Sequence, residues 1–495
     1  MRKLFLILAA STLFGIRTKA DPQAPEPPPL EKPKPKSANV SSAETMITLP
    51  PPPATPIKRQ EKKNPPKPPA LITKIRSADD EDWARSPNDL RGLLESMSAE
   101  MGVNFTSQVK PFKKVSPNPE DNPVLYRSGY KTFELSTDEI SLLRQYLHNG
   151  GTIVFNSLVG NPNSYESAKR AAQLLLPEGQ LYRLRTDHPL FSSYFQIGEV
   201  KFRDRMVRDG VVVDNYPFIE GIDIDNRTAI IISRWDFALG WSKNAHESWG
   251  YADDDARRLG ANIMAYATAM KKSGQSVGQS VVLENASGTK PAGAVRIGQV
   301  KHNGPWKTRE TALPMLLGEL NKVTGTQVSF EIKQVTLDDQ AIFELPFLYL
   351  SGTTDFTLSP EETANLKRYL GNGGVLLAEA SEGRDSFDKA FRREIAKVLP
   401  QSPLQPFKPG SPVFSSPRQI TSARVRPALA AARGNQVEIA PELLGIELDG
   451  GVAVVYSPYD LGAGWEKALA PYALGYEPST ATDLGINIFC QALTR

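Results

Sequence analysis

The chain has 495 residues, and because a single domain usually contains about 100 to 200 residues, its length suits roughly two domains. Its 58 basic and 55 acidic side chains give a formal net charge of +3, which gives no reason to expect nucleic acid or an anionic membrane surface as a partner. Cys490 is the only cysteine, so an intramolecular disulfide is excluded.

The first 20 residues have the three parts of a secretory signal peptide. Met1-Arg2-Lys3 supplies the positive charge, residues 4–16 are apolar, and Thr18-Lys19-Ala20 precedes the expected cleavage site. The apolar run is shorter than the roughly 20 residues that a membrane span needs. We therefore expect an exported protein, periplasmic or secreted, with no transmembrane span after cleavage. Retention of the signal peptide as an anchor is the alternative.

Residues 21–70 contain 16 of the 41 prolines and few large apolar side chains. Such a segment cannot bury enough surface to offset the entropy lost on ordering. Its composition predicts a disordered, proline-rich linker that is extended and resembles polyproline II. A plain spacer is the first interpretation, and a ligand for an aromatic groove is the alternative.

The rest of the chain contains one sequence twice. Adding 223 to a position between residues 72 and 191 repeatedly gives a matching residue, with no gap. The matches include Trp83 with Trp306, Leu125-Tyr126-Arg127-Ser128-Gly129 with Leu348-Tyr349-Leu350-Ser351-Gly352, Asn149-Gly150-Gly151 with Asn372-Gly373-Gly374, and Phe191-Ser192-Ser193 with Phe414-Ser415-Ser416. We assign copy 1 to residues 72–270, a linker to residues 271–294 and copy 2 to residues 295–495. A function that both copies perform should keep its polar residues in both.

Strand and helix signals alternate within each copy. In copy 2, Ser359, Pro360 and Glu362 supply a helix start with a capping box, and Asn372-Gly373-Gly374 supplies the stop. In copy 1 the predicted elements are a helix at 136–147, a strand at 152–155 and a helix near 167–175. In copy 2 they are an apolar strand within 343–350, a helix from 359, a strand at 375–378 and a helix at 386–398. This alternation predicts an α/β fold, with two tandem three-layer domains built on mainly parallel sheets.

Several spaced motifs resemble the bacterial domain family of unknown function labelled DUF4159. They include both Asn-Gly-Gly turns, Asp187-His188-Pro189-Leu190-Phe191, Phe387-Asp388-Lys389-Ala390-Phe391-Arg392-Arg393-Glu394, Ser457-Pro458-Tyr459-Asp460 and Gly485-Ile486-Asn487-Ile488. That family is similar to the flavodoxin-like, class I glutamine amidotransferase-like fold, and the resemblance implies this fold for both copies. It implies no activity, because the family has no assigned chemistry. Copy 2 departs from copy 1 in having Ser411 in place of His188.

An amidotransferase-like enzyme needs a nucleophile on the sharp turn after the strand that follows Asn-Gly-Gly. These turns, residues 156–160 and 379–383, contain no cysteine. Ser157 and Ser381 offer hydroxyl groups, but the repeat places Ser157 opposite Ala380. We therefore predict that the nucleophile is absent and keep Ser157 as a candidate binding residue. The alternative is that these serines are small turn residues that cap the next helix.

No histidine occurs at matched positions of the two copies, which excludes an imidazole site shared by both. His188 is the best single candidate. The sequence contains no phosphate-binding loop, dinucleotide fingerprint or zinc-spaced cluster, so no cofactor and no metal is predicted.

Two matched pairs are stronger candidates for binding. Asp236 and Asp460 each follow an apolar strand, and each precedes a matched tryptophan, Trp241 or Trp465. The carboxyl end of such a strand usually faces a ligand crevice. The alternative is that the aspartate caps the next turn and the tryptophan packs in the core.

These features predict an exported, non-catalytic binding or scaffolding protein with an envelope or extracellular protein as its partner. One alternative is a hydrolase in which only copy 1 works, through Ser157, His188 and Asp236. Another is a sugar- or peptide-binding module that uses the paired tryptophans.

Overall fold

The computed structural model of the protein describes residues 24–30, 70–76, 81–277 and 295–493. The predicted signal peptide lies outside these residues, as do most of the proline-rich segment and the linker residues 278–294.

Copy 1 folds around one seven-stranded sheet. Its strands are β1 (Ala70–Arg76), β2 (Thr106–Pro111), β3 (Val124–Gly129), β4 (Thr152–Ser157), β5 (Tyr182–Arg183), β6 (Ile219–Ile224) and β7 (Arg227–Ser233). Their order across the sheet is β2-β1-β3-β4-β7-β6-β5. Pairing is parallel from β2 to β7, whereas β6 and β5 pair antiparallel. The carboxyl ends of β1, β3, β4 and β7 therefore meet at one end of the sheet.

Helices cover both faces of this sheet. They are α1 (Asp89–Met101), α2 (Thr137–His148), α3 (Pro162–Leu175), α4 (Asp204–Arg208), α5 (Ala238–Trp241) and α6 (Asp253–Val277). One apolar core joins the sheet to α1 and α6, and a second core joins the opposite face to α2 and α3. The result is a helix–sheet–helix sandwich.

Copy 2 repeats this topology. Its strands are β8 (Ile297–Val300), β9 (Lys333–Val335), β10 (Phe347–Gly352), β11 (Val375–Ala380), β12 (Gln405–Pro406), β13 (Ala423–Arg424), β14 (Glu438–Ile439), β15 (Leu444–Leu448) and β16 (Gly451–Ser457). The seven-stranded sheet has the order β9-β8-β10-β11-β16-β15-β12, and β13 pairs with β14 separately. The helices are α7 (Ala312–Thr324), α8 (Pro360–Gly371), α9 (Asp385–Val398), α10 (Pro412–Ser415), α11 (Pro427–Ala432), α12 (Gly462–Trp465) and α13 (Pro478–Leu493).

The Asn-Gly-Gly motif is needed for the same structural reason in both copies. Gly150 and Gly373 take left-handed backbone conformations, with φ of 95° and 94°, directly after a helix. The second glycine lies against a tyrosine ring of that helix, and a Cβ at Gly151 would come within 2.2 Å of Tyr146. Only glycine therefore lets the chain turn from the helix into the buried central strand.

The predicted α/β architecture with two mostly parallel sheets is confirmed. Two boundaries differ from the predictions. Helix α3 begins at Pro162 because the Asn161 side chain accepts hydrogen bonds from Asn163 and Ser164 and caps it there. Helix α6 continues to Val277, into the predicted linker.

The proline-rich segment also differs from the predicted free spacer where it is described. Within residues 24–30, Pro25 and Pro28 are buried. The carbonyl oxygens of Glu26 and Pro28 accept hydrogen bonds from side chains of copy 1. This part of the segment is therefore docked on a folded domain. No helix within the described ranges combines the length and the apolar character that crossing a membrane requires.

Candidate functional site

The turns after the central strands β4 and β11 contain strained residues at matched positions. Val159 in copy 1 has φ 52° and ψ 13°, and Glu382 in copy 2 has φ 58° and ψ 8°. Non-glycine residues rarely adopt this left-handed region, which costs about 1–3 kcal/mol and is found mostly at functional sites or tightly held turns. Each turn lies at the carboxyl end of its sheet.

Long loops hold both turns in place. Val159 accepts a backbone hydrogen bond of 3.0 Å from Trp249, and Glu382 accepts the equivalent bond of 3.1 Å from Leu474. In copy 2 the Glu382 N–H also donates to the Asp460 carboxylate at 2.8 Å. The strain is thus supported by the same scaffold in both copies, but the side chain presented differs: it is apolar in copy 1 and acidic in copy 2.

Asp236 and Asp460, predicted as binding residues, are buried and bonded to backbone. Asp236 accepts from the Ala238 N–H at 2.8 Å, and Asp460 accepts from the Ala463 N–H at 2.6 Å. Each carboxylate lies one residue before the N-cap of the short helix α5 or α12 and accepts a hydrogen bond from its first turn. This is the capping role that the sequence left open as the alternative.

Trp241 and Trp465 are each 1% exposed, and their indole N–H groups donate to the Ala256 and Ala481 carbonyls at 2.8 Å. Each tryptophan thus has its polar atom satisfied inside the core. The geometry does not support a sugar- or peptide-binding module that uses these rings.

Copy 2 adds charged groups around Asp460. The Arg309 guanidinium contacts Asp460 at 3.0 Å and Glu466 at 3.3 Å, and all three side chains are 4% exposed or less. The carboxylate of Glu379 accepts hydrogen bonds from the Tyr349 hydroxyl and from the Gly462 N–H. The carboxyl end of the copy 2 sheet is therefore a buried ionic network.

Burial and neighbouring charges set the protonation states of this network. Burial, followed by the charge of Asp460, raises the pKa of Glu379 above its ordinary value. Burial acts in the same direction on Asp460, but the Arg309 guanidinium and two backbone N–H groups outweigh it and lower the Asp460 pKa. Burial raises the pKa of Glu382 to about 7, although Arg384 and Arg309 oppose the shift. Negative charge is thus stabilised on Asp460, beside Arg309.

In copy 1, the position equivalent to Glu379 carries an uncharged side chain. Asn156 occupies the position of Glu379, and its amide donates to Ser128 and to Asp236, each at 3.0 Å. Ser157, the other candidate on this turn, is 1% exposed at the end of β4.

His188 lies at the opposite end of the copy 1 sheet. Its Nδ1 accepts from the Leu190 N–H at 3.1 Å, so we assign its proton to Nε2, which lies 3.0 Å from the Thr228 hydroxyl. Thr228 is the second residue of β7, whereas Asp236 follows the end of this strand, and the stretch of strand between them spans roughly 17 Å. The structure therefore does not bring Ser157, His188 and Asp236 together, and the copy 1 hydrolase alternative loses its geometric basis.

The His188 network faces copy 2. The Thr228 hydroxyl donates to Asp223 at 2.7 Å, and Asp223 also accepts from the Tyr182 hydroxyl at 2.5 Å. Burial, with a smaller contribution from the Arg384 charge of copy 2, lowers the pKa of His188 well below its ordinary value. His188 is therefore a neutral, fully bonded residue near the boundary between the copies.

The tip of the β6–β7 hairpin in copy 1 covers the copy 2 network. Asp225 accepts from the Glu310 N–H at 3.3 Å. With its amide oxygen turned toward Arg309, Asn226 accepts from that guanidinium and donates to the Thr308 carbonyl, each at 3.1 Å. The hairpin at the amino end of the copy 1 sheet thus closes the carboxyl end of the copy 2 sheet.

The family model for the domain of unknown function DUF4159 matches residues 71–268 and 296–493. The chain belongs to the DUF4159 family. The two matches correspond to the two seven-stranded sheets, so the protein is a tandem of DUF4159 domains. No curated protein matches it. Among the described residues of the two DUF4159 domains, no group of three or more His, Cys, Asp or Glu side chains is arranged to hold a metal ion.

Sequence reasoning missed the network residues Arg309, Glu379 and Glu382. A signal for two of them was present, because Glu379 directly follows an apolar run predicted to be a buried strand and Glu382 lies three residues further along. Arg309 gave no such signal, since its partner Asp460 lies 151 residues away and its repeat counterpart is Ser86.

Proposed function

We propose that this tandem DUF4159 protein is an exported, non-catalytic binding or scaffolding protein. The observation that carries the proposal is the residue at the strained turn of each copy. In an amidotransferase-like enzyme this turn presents the nucleophile. Copy 1 presents Val159, which has no nucleophilic group, and copy 2 presents Glu382 in a network covered by copy 1. Both positions therefore serve packing between segments of the chain.

The proposal of export rests on the signal-peptide pattern of residues 1–20, and an amidotransferase-like ancestry for the fold rests on the resemblance stated above. The partner we propose is an envelope or extracellular protein. The proline-rich composition of residues 31–69 supports this proposal, because a spacer of that kind would let a folded head reach a partner at a distance.

The test is crosslinking in cells of the tagged full chain, followed by affinity capture and mass spectrometry. The informative variant is Asp225→Arg, which places a cation beside Arg309 and should open the boundary between the copies. Asp449→Arg is the matched control, because Asp449 is the equivalent hairpin residue, has nearly the same φ (51° against 52°), and is exposed. We expect one reproducible envelope partner with the wild type and the control, and its loss with Asp225→Arg.

Cell fractionation and intact-mass measurement accompany this experiment. Export with cleavage predicts a periplasmic or secreted protein that begins at Asp21. A cytoplasmic protein of full mass would contradict the export proposal, and a captured set identical to that of an unrelated exported protein would contradict the scaffolding proposal.

A further inference from the structure

The segment Ala24-Pro25-Glu26-Pro27-Pro28-Pro29-Leu30 is seated on copy 1 with a three-residue periodicity. Pro25 and Pro28 are buried, whereas Glu26 and Pro29 are exposed. A polyproline II helix has three residues per turn, so residues i and i+3 share one face. The burial pattern matches this periodicity and places Pro25 and Pro28, a Pro-x-x-Pro spacing, on the docked side of the segment.

Copy 1 supplies donors for two carbonyl groups of this segment. Arg85 donates from Nη1 to the Pro28 carbonyl at 3.1 Å, and His246 Nε2 lies 2.9 Å from the Glu26 carbonyl. A polyproline II helix has no internal hydrogen bonds, so its carbonyl groups are free to accept such bonds. Proline-rich peptides are recognised by docking their preformed polyproline II conformation into a groove, and copy 1 adds side-chain donors to two of the carbonyl groups.

Both donors are also held by contacts within copy 1. The Arg85 Nε donates to Asp82 at 2.8 Å, and its guanidinium lies 6.0 Å from the centre of the Tyr130 ring. The backbone of His246 is fixed at both sides, because its N–H donates to the Asn244 side chain and its carbonyl accepts from Arg203. Preorganised donors bind with a smaller entropic cost.

The groove lies at the carboxyl end of the copy 1 sheet, where α/β proteins usually bind ligands. The short turn that contains Arg85 follows β1, and the Asp82 carboxylate ties it to the Lys131 N–H after β3. The loop that contains His246 follows β7 and crosses the strained turn through the Trp249–Val159 hydrogen bond. The proline-rich segment therefore occupies the position of a ligand.

Copy 2 lacks these donors. Thr308 stands at the position of Arg85, and the loop 466–475 contains no histidine. The hairpin of copy 1 covers the corresponding end of copy 2 instead. The groove is thus a property of copy 1 alone.

We propose that this crevice of copy 1 is a recognition groove for a proline-rich peptide, and that the chain's own segment 24–30 is its resident occupant, which a proline-rich partner peptide must displace. The inference rests on the proposed binding function and names the chemistry of the partner. The chain carries further Pro-x-x-Pro spacings at Pro50–Pro53, Pro53–Pro56 and Pro65–Pro68. A tethered segment competes at an effective concentration that is roughly millimolar, so a free peptide should bind weakly until the resident one is released.

The test uses the full chain and a fluorescein-labelled peptide with the sequence of residues 22–30, with binding measured by fluorescence anisotropy. Pro25→Ala combined with Pro28→Ala should release the resident segment and strengthen binding of the peptide at least about 10-fold over the wild type. Pro29→Ala combined with Leu30→Ala is the matched control, since both residues are exposed, and it should bind like the wild type. Adding His246→Ala or Arg85→Ala to the released variant should weaken binding at least about 10-fold, with thermal unfolding confirming that each variant is folded.

Equal binding of the peptide by wild type, control and released variant would overturn the proposal, as would binding that survives the loss of both donors. Sedimentation of the wild type as a dimer that the Pro25→Ala, Pro28→Ala variant converts to monomer would also overturn it, because the occupant would then be a second copy. These measurements distinguish a failure of the groove proposal from a failure of the scaffolding proposal. If an envelope partner is captured equally by wild type and released variant, only the groove proposal fails, whereas peptide binding without any captured partner contradicts only the scaffolding proposal.

Discussion

The carboxylate of Asp187 in copy 1 accepts a hydrogen bond of 2.9 Å from the backbone N–H of Ser386 in copy 2. Ser386 lies in the first turn of α9, where N–H groups have no partner within the helix and negative charge is favoured. The N-cap residue of this helix is Arg384, whose side chain makes no capping bond. Asp187 therefore accepts a hydrogen bond from the first turn of a helix in the other domain and supplies the negative charge that is favoured there.

Asp187→Ala should weaken the boundary between the domains. We expect a loss of about 1 kcal/mol in the free energy of unfolding, the usual effect of removing a capping side chain. Amide hydrogen exchange at residues 385–388 should become faster than in the wild type.

Asp138→Ala is the control for this prediction, because Asp138 is an exposed acid in the first turn of α2, within copy 1. It should leave exchange in α9 unchanged. Exchange in α9 that is equally unaffected by Asp187→Ala would show that the bond across the boundary is not formed in solution.

Tyr266 of copy 1 and Tyr472 of copy 2 stack with ring centres 5.7 Å apart and planes 18° apart. A double-mutant cycle with Tyr266→Leu and Tyr472→Leu should give a coupling energy of about 0.5–1.5 kcal/mol, as for other buried aromatic pairs. The measurement is chemical unfolding of the four proteins. Strictly additive effects of the two substitutions would contradict direct packing of the two copies.

Trp241→Phe and Trp465→Phe should each destabilise the protein. Each substitution leaves a buried carbonyl, that of Ala256 or Ala481, without its indole donor, which costs about 1–3 kcal/mol. Thermal or denaturant unfolding measures the loss. Tyr216→Phe is the control at an exposed aromatic residue and should leave stability unchanged. A tryptophan variant with wild-type stability would reopen the binding role predicted from the sequence.

The fold could be predicted from the sequence because its signals are local. The capping box at Ser359, the glycine stop at Gly373 and the apolar run from Val375 each act within a few residues. The repeat gave a second test of each predicted element, since the element could be checked at the matched position of the other copy.

The roles of Asp236, Asp460 and the tryptophans could be narrowed to two alternatives but not decided. Their positions after strands fit either a crevice or a cap, and the choice depends on which backbone groups lie opposite. The contacts at the boundary between the copies were even harder to predict from the sequence. Asp187 and Ser386 are 199 residues apart, and no local pattern marks a carboxylate that caps a helix of another domain.

Glu382 makes the stability of the folded protein depend on pH. Burial raises its pKa from 4.5 to about 7 in the folded protein, so the folded state binds more protons than the unfolded state between these two values. We therefore expect the contribution of Glu382 to stability to fall as pH rises from 4.5 through 7. The shift corresponds to an upper limit of about 3 kcal/mol. Asp225, whose pKa burial and the Glu466 charge raise to about 6, adds to the fall in the same direction.

Glu382→Gln removes this titration while keeping the shape of the side chain. We expect the free energy of unfolding of the variant to change less between pH 5 and pH 8 than that of the wild type, and the variant to be the more stable of the two at pH 8, because a buried charge is no longer formed there. Equilibrium denaturant unfolding at both pH values measures the difference. Glu361→Gln, at an exposed position in the first turn of α8, is the control and should follow the wild-type curve. Parallel curves for wild type and Glu382→Gln would show that Glu382 is ionised and compensated in the folded protein at both pH values, and the pH dependence of unfolding would then come from other groups.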